Sequence, residues 1–466
     1  MKELARFIKT SGIYLVGNVL TKAIAFIMLP VYTKYLSPTD YGTYDVNIAY
    51  ITFLCSVLFF DIWSGTMRFM FDYQGKEDKN SPIVSGTLIF IFSTILYTIV
   101  TFSLGKIMGV TYVFLLFLYG LTTNLQQFFA YVIRGFGKNT LFAAAGLIGS
   151  VVTIVLNIIF IAVFHKGYQY LYVSSIGGAL INSLLLLSGI NLNSILKKKY
   201  FNKKLTIEMF IFSLPLTINS VSWWFLTAFN RVALTNHFSA YANGLYAVAN
   251  KFSAIIQLVD QAFQMAWQEI SFSKEGASSN NSVFFSKAIN EYIKFMTLGI
   301  CVILPLVRII FPYFVNSSYN AALQVVPLAL IAMLLSSIST FLGGTLTAIK
   351  QNRYLFTTTI FGTIVNVIVL EATIGSIKIQ AASLALGLGY LVVDVRRYQL
   401  LKRHIQVRLQ CSMIVMLGVG LTFSSAIFLF LSPLLNIIWF AIAFSIMILF
   451  YLKIIRLLIY KFQSKG

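Results

Sequence analysis

The chain has 466 residues, 58% hydrophobic and 11% charged, with a mean hydropathy of +0.83. So few polar side chains cannot cover a water-facing surface, which excludes a soluble globular protein and places the chain in a bilayer. The formal charge of +21 invites a nucleic-acid partner until the positions of the charges are considered.

A membrane span needs about 20 apolar residues, and the sequence predicts about fourteen such stretches. Their centres lie near Phe26, Leu54, Thr94, Tyr119, Val152, Leu180, Val221, Ile255, Val302, Leu334, Thr363, Gly387, Leu421 and Phe444. The least marked boundaries are a break at Pro433 and the polar stretch from Asn124 to Tyr131. The start, Met1 to Lys9, resembles a signal-peptide n-region. The run after it contains Lys22, is span-length and lacks a small-x-small cleavage pattern, so it reads as a retained first helix.

With the N-terminus placed in the cytoplasm, alternate loops collect the basic residues. They include Lys2, Arg6 and Lys9, then Arg68, Lys76 and Lys79, the Lys197 to Lys204 cluster, and Arg396 to Arg408. The opposite loops hold only Lys34, Lys106, Lys166, Arg308 and Lys378. This asymmetry is the positive-inside rule and predicts two cytoplasmic termini. Anionic lipid headgroups are the expected partners of these clusters, and no nucleic acid is expected.

The chain is built twice. Leu36 to Tyr44 (Leu-Ser-Pro-Thr-Asp-Tyr-Gly-Thr-Tyr) returns about 200 residues later as Phe238 to Tyr246 (Phe-Ser-Ala-Tyr-Ala-Asn-Gly-Leu-Tyr), so that Ser37 maps to Ser239, Gly42 to Gly244 and Tyr44 to Tyr246. Each copy reads as a tight turn whose glycine supplies a permissive backbone. A second echo links Gly137-Lys138-Asn139 to Lys350-Gln351-Asn352. The predicted fold is an all-α polytopic membrane protein with two parallel six-helix repeats in a V-shaped bundle, plus two C-terminal helices. The expected lobes are 1–196 and 205–403, with the additional helices in 404–466. Duplication inside such a chain is the usual signature of a transporter whose substrate path lies between related halves.

No polar stretch is long enough for a soluble domain, and no Gly-x-x-x-x-Gly-Lys-Ser/Thr run exists to cradle ATP phosphates. Cys55, Cys301 and Cys411 fall in predicted spans without paired spacing, so neither a disulfide framework nor a metal site is expected. No cofactor is expected, and active transport must draw on an ion gradient or on the substrate's own.

Ionisable groups at bilayer depth are costly and mark function by default. Lys22 lies near the middle of the first span with Asn18 one turn away. Ser213, Thr217, Ser220, Trp224, Thr227 and Arg231 recur at steps of four and three, one face of the seventh span. The eighth repeats the pattern with Asn250, Ser253, Gln257, Asp260 and Gln264, with Lys251 beside it. The second offers Asp61 and Arg68, and the fourth Asn124, Gln127, Tyr131 and Arg134. If these faces converge, Lys22, Arg231, Lys251 and Arg68 make a cationic cavity suited to an anionic headgroup. Asn18, Ser220, Trp224, Asn250, Gln257, Asn124 and Gln127 would be its polar lining. Trp223, Trp224 and Tyr246 offer flat faces to sugar rings, although packing is the more ordinary role of a tryptophan. Asp61 and Arg68 equally suit a structural ion pair. Asp61 and Asp260 are the candidate coupling groups, because a carboxyl within the membrane can take up and release a proton. Glu208, Glu371, Asp394 and Lys294 read as helix-end residues that cap or snorkel.

The run Val31-Tyr32-Thr33-Lys34-Tyr35-Leu36-Ser37-Pro38-Thr39-Asp40-Tyr41-Gly42-Thr43-Tyr44-Asp45 resembles the opening of the polysaccharide flippases of the multidrug, oligosaccharidyl-lipid and polysaccharide exporter superfamily. Segment order agrees over about residues 1–403. The resemblance implies a transporter, not an enzyme, of the bacterial cytoplasmic (inner) membrane. Such a protein moves undecaprenyl-diphosphate-linked oligosaccharide between leaflets for O-antigen, capsule or lipopolysaccharide assembly. It also implies polysaccharide polymerase and chain-length proteins as partners. Two relatives of the same superfamily stay open as alternatives, a cation-coupled multidrug exporter and a peptidoglycan-precursor (lipid II) flippase. A membrane-embedded glycan polymerase would need a large outer loop with catalytic groups, and the outer loops are only a few residues long.

Overall fold

In a bilayer every backbone N–H and C=O must find its partner within its own segment, so apolar runs become helices. The computed structural model describes residues 26–73, 75, 79–191, 195, 197–272 and 279–463, and these contain helices, turns and no strand. The chain forms two compact units, Met1–Ala247 and Val248–Gly466. The first holds α1 (Leu29–Tyr35), α2 (Pro38–Leu58), α3 (Ile62–Met70), α4 (Asn80–Ile107), α5 (Val113–Gly135), α6 (Asn139–Asn157, continued by a π-helical stretch to Val163), α7 (Gln169–Ser188), α8 (Lys203–Thr227), α9 (Phe229–His237) and the start of α10 (Ala240–Phe272). The second holds the rest of α10, α11 (Ser279–Phe314), α12 (Val326–Ala348), α13 (Arg353–Ile377), α14 (Gln380–Ile405), α15 (Cys411–Phe430) and α16 (Pro433–Gln463).

Among the described residues, 10 helices are long and apolar enough to cross a membrane, or 11 if α2 and α3, bent by 47° at their junction, count as one span. Helices α10 and α14, with 33 and 26 residues, have the length but carry too many polar side chains to qualify on composition. The first predicted span lies outside the described residues up to position 25, and each of the remaining predicted centres falls in a helix of its own. The Asn124 to Tyr131 stretch does not interrupt α5. The break before Pro433 is present, and Asn436 folds back to donate to the Ile427, Leu431 and Ser432 carbonyls at the end of α15.

Local chemistry explains both repeated motifs. Ser37 is the N-cap of α2: its hydroxyl accepts from the Asp40 N–H at 3.1 Å while the Asp40 carboxylate accepts from the Ser37 N–H at 3.3 Å, with Pro38 in the first turn. The Ser-Pro-Thr-Asp run is therefore a capping box, a helix start. In the second echo, the Lys138 N–H donates to the Ile133 carbonyl, and the Gln351 N–H likewise to Leu346. Gly137 and Lys350, at equivalent positions, both take the left-handed conformation, with φ of 73° and 61°. The two copies thus end their helices with the same cap.

The α2–α3 bend is made by Phe60 and Asp61, both with positive φ. Each left-handed non-glycine residue costs about 1–2 kcal/mol, and surrounding packing holds the bend. Phe59 beside it is fully buried, with its ring against Phe90 and Tyr97 in a core shared with Ile62, Met70 and Tyr172.

The glycines of the first echo differ from expectation. Gly42 and Gly244 sit inside α2 and α10, and neither has a positive φ. Their role is close approach: a Cβ on Gly42 would lie 1.8 Å from the Ala240 carbonyl oxygen, and one on Gly244 1.9 Å from that of Pro38. The two copies of the motif pack on each other backbone to backbone. Lipid tails are as apolar as leucine, so helices in a membrane associate through such close contact and through interhelical hydrogen bonds.

Candidate functional site

The Gly42–Gly244 crossing brings polar groups together at the meeting of α2, α9 and α10. Asn243 donates to the Gly42 carbonyl at 2.9 Å and to one Asp45 oxygen at 3.3 Å. Arg231 donates to the other Asp45 oxygen at 3.2 Å. Asp45 is thereby shared between an arginine and an amide that lie 186 and 198 residues away in sequence. Tyr50, further along α2, donates to Asn236 of α9 at 3.4 Å. The Arg231 side chain is 33% exposed. A guanidinium has five N–H donors, so an anion can share Arg231 with Asp45 or replace Asp45 altogether.

The polar stripe of α8 packs on the bent α2–α3 pair. Ser213 is buried where Gly65 leaves room for its hydroxyl. Ser220 donates to Asp61 at 3.4 Å, and Asp61 also accepts from Ser64 at 2.8 Å. The Trp224 indole N–H donates to the Ala49 carbonyl at 2.8 Å and its ring lies against Phe53. Thr217 is buried on the same face. Trp224 and Tyr246 are buried packing residues, whereas Trp223 remains exposed.

The other predicted residues occupy varied settings. Arg68 pairs with Asp72 on an exposed face of α3, with both side chains more than half exposed, and not with Asp61. Asn124 is buried and donates to the Gly120 carbonyl one turn back in α5, and Gln127 is exposed. Asn250, Lys251 and Gln257 are half-buried in α10, each engaged by neighbours. Asp260 is buried and accepts from Tyr292 of α11 and Gln264. Lys22 and Asn18 lie outside the described residues.

Sequence reasoning missed Asp45 and Asn243. Asp45 closes the Val31–Asp45 run, but its counterpart in the second copy is Ala247, so duplication gave it no echo. Asn243, beside Gly244 in the repeated motif, was the available signal. Asp394, expected near a helix end, is instead buried within α14.

A family model described as polysaccharide biosynthesis protein matches residues 7–267, more than half of the chain. The chain belongs to that family. A comparison with curated protein sequences returns no match. Among solved structures, the lipid II flippase MurJ in an inward closed conformation superposes with a TM-score of 0.67 at 17% identity, covering 94% of this chain and 99% of that one. A multidrug resistance MATE family transporter of the MOP superfamily, inward-facing, gives 0.64 at 14%, with coverage of 86% and 95%. An outward-facing MATE transporter of that superfamily gives 0.56 at 16%, with coverage of 89% and 96%. The shared feature is the fold, an all-α polytopic one. The chain is a multi-pass membrane protein.

Proposed function

We propose that the chain is a flippase that moves an isoprenoid-diphosphate-linked oligosaccharide, of the undecaprenyl kind, across the cytoplasmic membrane by alternating access, with both termini in the cytoplasm. The observation that carries this reading is the junction at Gly42 and Gly244. There the two copies of the repeated motif meet without intervening side chains, and Arg231 is held by a carboxylate that an anionic substrate can displace. On this reading the junction is the closed outer rim. A lipid diphosphate that draws Arg231 away from Asp45 leaves Asn243 as the polar tie, and the copies separate. Membership of a polysaccharide biosynthesis family supports a glycan as cargo, and the diphosphate is the part that every repeat unit would share.

Cross-linking tests the moving rim. In a background where Cys55, Cys301 and Cys411 are replaced, Thr39→Cys with Tyr241→Cys is expected to form a disulfide that blocks export of surface glycan, with reduction restoring it. A pair that never forms, or that forms without loss of export, argues against separation at this point. Mass spectrometry of co-purifying lipid identifies the cargo. An oligosaccharide on an isoprenoid diphosphate supports the reading, and a peptide-bearing headgroup replaces it with peptidoglycan precursor.

Transport is coupled, on this reading, to an ion gradient through Asp61 or Asp260. Asp61 bridges α3 to α8 through Ser220, and Asp260 bridges α10 to α11 through Tyr292, so a proton on either carboxylate changes an interhelical bond. In proteoliposomes, Asp61→Asn or Asp260→Asn is expected to lose the response of lipid transfer to an imposed proton or sodium gradient. A wild-type response in both variants removes the two residues from coupling.

A further inference from the structure

Asp394 and Arg397 lie one turn apart on α14, at a spacing that allows a side-chain pair. Both are buried, with 8% and 5% of their surface exposed. Yet the guanidinium is spent on neutral acceptors. It donates to the Ser339 carbonyl at 2.6 Å and hydroxyl at 3.0 Å on α12, and to the Thr358 and Thr359 hydroxyls at 3.1 and 3.3 Å on α13. Gly343 leaves it the space, since a Cβ there would lie 2.9 Å from Nη1. No hydrogen bond of good geometry reaches either oxygen of the Asp394 carboxyl among the described residues, although the Ser339 hydroxyl, which accepts from Arg397, faces it.

An ionised carboxylate one turn from a guanidinium in a dry interior draws the fork to itself, because that charge-assisted pair is stronger than bonds to hydroxyls. A neutral carboxylic acid does not compete. We propose that Asp394 is a proton-binding site: it holds a proton while Arg397 is committed to α12 and α13, and releases it to water when the guanidinium swings to the carboxylate. The switch then couples proton occupancy to how α14 packs on its two neighbours.

Among the described residues, Arg397 is the ionisable group that acts on Asp394. The polar groups that face Asp394 are Arg397 and the Ser339 hydroxyl. Helix α12 carries no ionisable side chain. Those of α13 are Arg353 and Tyr354 in its first turn and Glu371. Glu371 lies about 15 Å along the helix from the turn near Thr359 and Gly362 that packs on α14. On α14 itself, Tyr390 is engaged by neighbours, Arg396 lies over the Phe361 ring, Tyr398 is half-buried one turn on from Asp394, and Lys402, Arg403 and His404 lie in the last turn.

This site deepens the coupling part of the proposed function, but its protonation is measured without transport, so either can fail alone. Infrared spectroscopy of the purified full-length protein reads the C=O stretch of protonated carboxyls directly. Over about pH 5 to 9 the wild-type spectrum is expected to show a protonated-carboxyl band that fades as pH rises and is missing from Asp394→Asn. In Asp394→Glu the band should shift and not vanish, which guards against a variant that merely misfolds. In Arg397→Gln, where no cation waits to pair with the carboxylate, the band should persist to higher pH. Wild-type and Asp394→Asn spectra that coincide in this region at every pH, or a band unmoved by Asp394→Glu, would overturn the assignment.

Discussion

Gly42→Ala is expected to abolish export of surface glycan while the protein still reaches the membrane. The added methyl meets the Ala240 carbonyl oxygen at 1.8 Å and the Gly244 nitrogen at 2.6 Å, and backbone atoms cannot turn aside as a flexible side chain would. Overpacking a tight contact costs about 1–3 kcal/mol, and the upper end applies where the obstacle is backbone. A penalty of about 3 kcal/mol on the closed junction alone lowers its population relative to the separated state by roughly 100-fold. Gly244→Ala, facing the Pro38 carbonyl at 1.9 Å, should behave alike. Gly146→Ala, with nothing within 4 Å of the new carbon, is the control and should export normally. Surface polymer measured against membrane abundance by immunoblot checks all three. Normal export by Gly42→Ala would show that the contact is not part of the transport cycle.

The second large effect is expected for Arg231→Ala, which should also remove export. The substitution leaves Asp45 with Asn243 as its described partner and takes away the group that an anionic headgroup would bind. Breaking a buried ion pair costs about 3–5 kcal/mol, but a third of the Arg231 side chain meets solvent, and screening reduces the figure to about 1–2 kcal/mol. Lost stability alone therefore accounts for a modest drop in abundance and not for full loss of export. Asp45→Asn combined with Arg231→Gln separates the two roles. If Arg231 only balances Asp45, the neutral pair restores export. If Arg231 also binds cargo, the double variant stays inactive although its abundance recovers. Export at the wild-type level by Arg231→Ala itself would remove the residue from the cargo path.

The amino-acid sequence by itself determined the membrane class, the run of spans and the duplication. Each rests on a signal local in the chain. A bilayer demands about 20 apolar residues per crossing, and Ser37, Pro38 and Asp40 form their cap within one helical turn. The turns at Gly137 and Lys350 are likewise closed by bonds to carbonyls five residues back. The identity of Arg231 as a notable cation was legible for the same reason, because its stripe on α8 and α9 has a helical period.

Only the tertiary structure decided what those groups touch. Gly42 and Gly244 read as turn glycines and prove to be the crossing point of two helices, a fact that depends on a contact across about 200 residues. Arg68 was grouped with Asp61 by helical phase, but the bend at Phe60 and Asp61 breaks that phase and leaves Arg68 to Asp72. Asp45 gained its role from Arg231 and Asn243, and Asp394 from the way α12 and α13 occupy Arg397. The physical reason is common to all of them. In a membrane the lipid-facing and protein-facing sides of a helix are both apolar, so hydrophobic pattern marks where a span lies without marking which side meets a neighbour. That choice is made by small residues and interhelical hydrogen bonds, whose partners are set by the packed bundle.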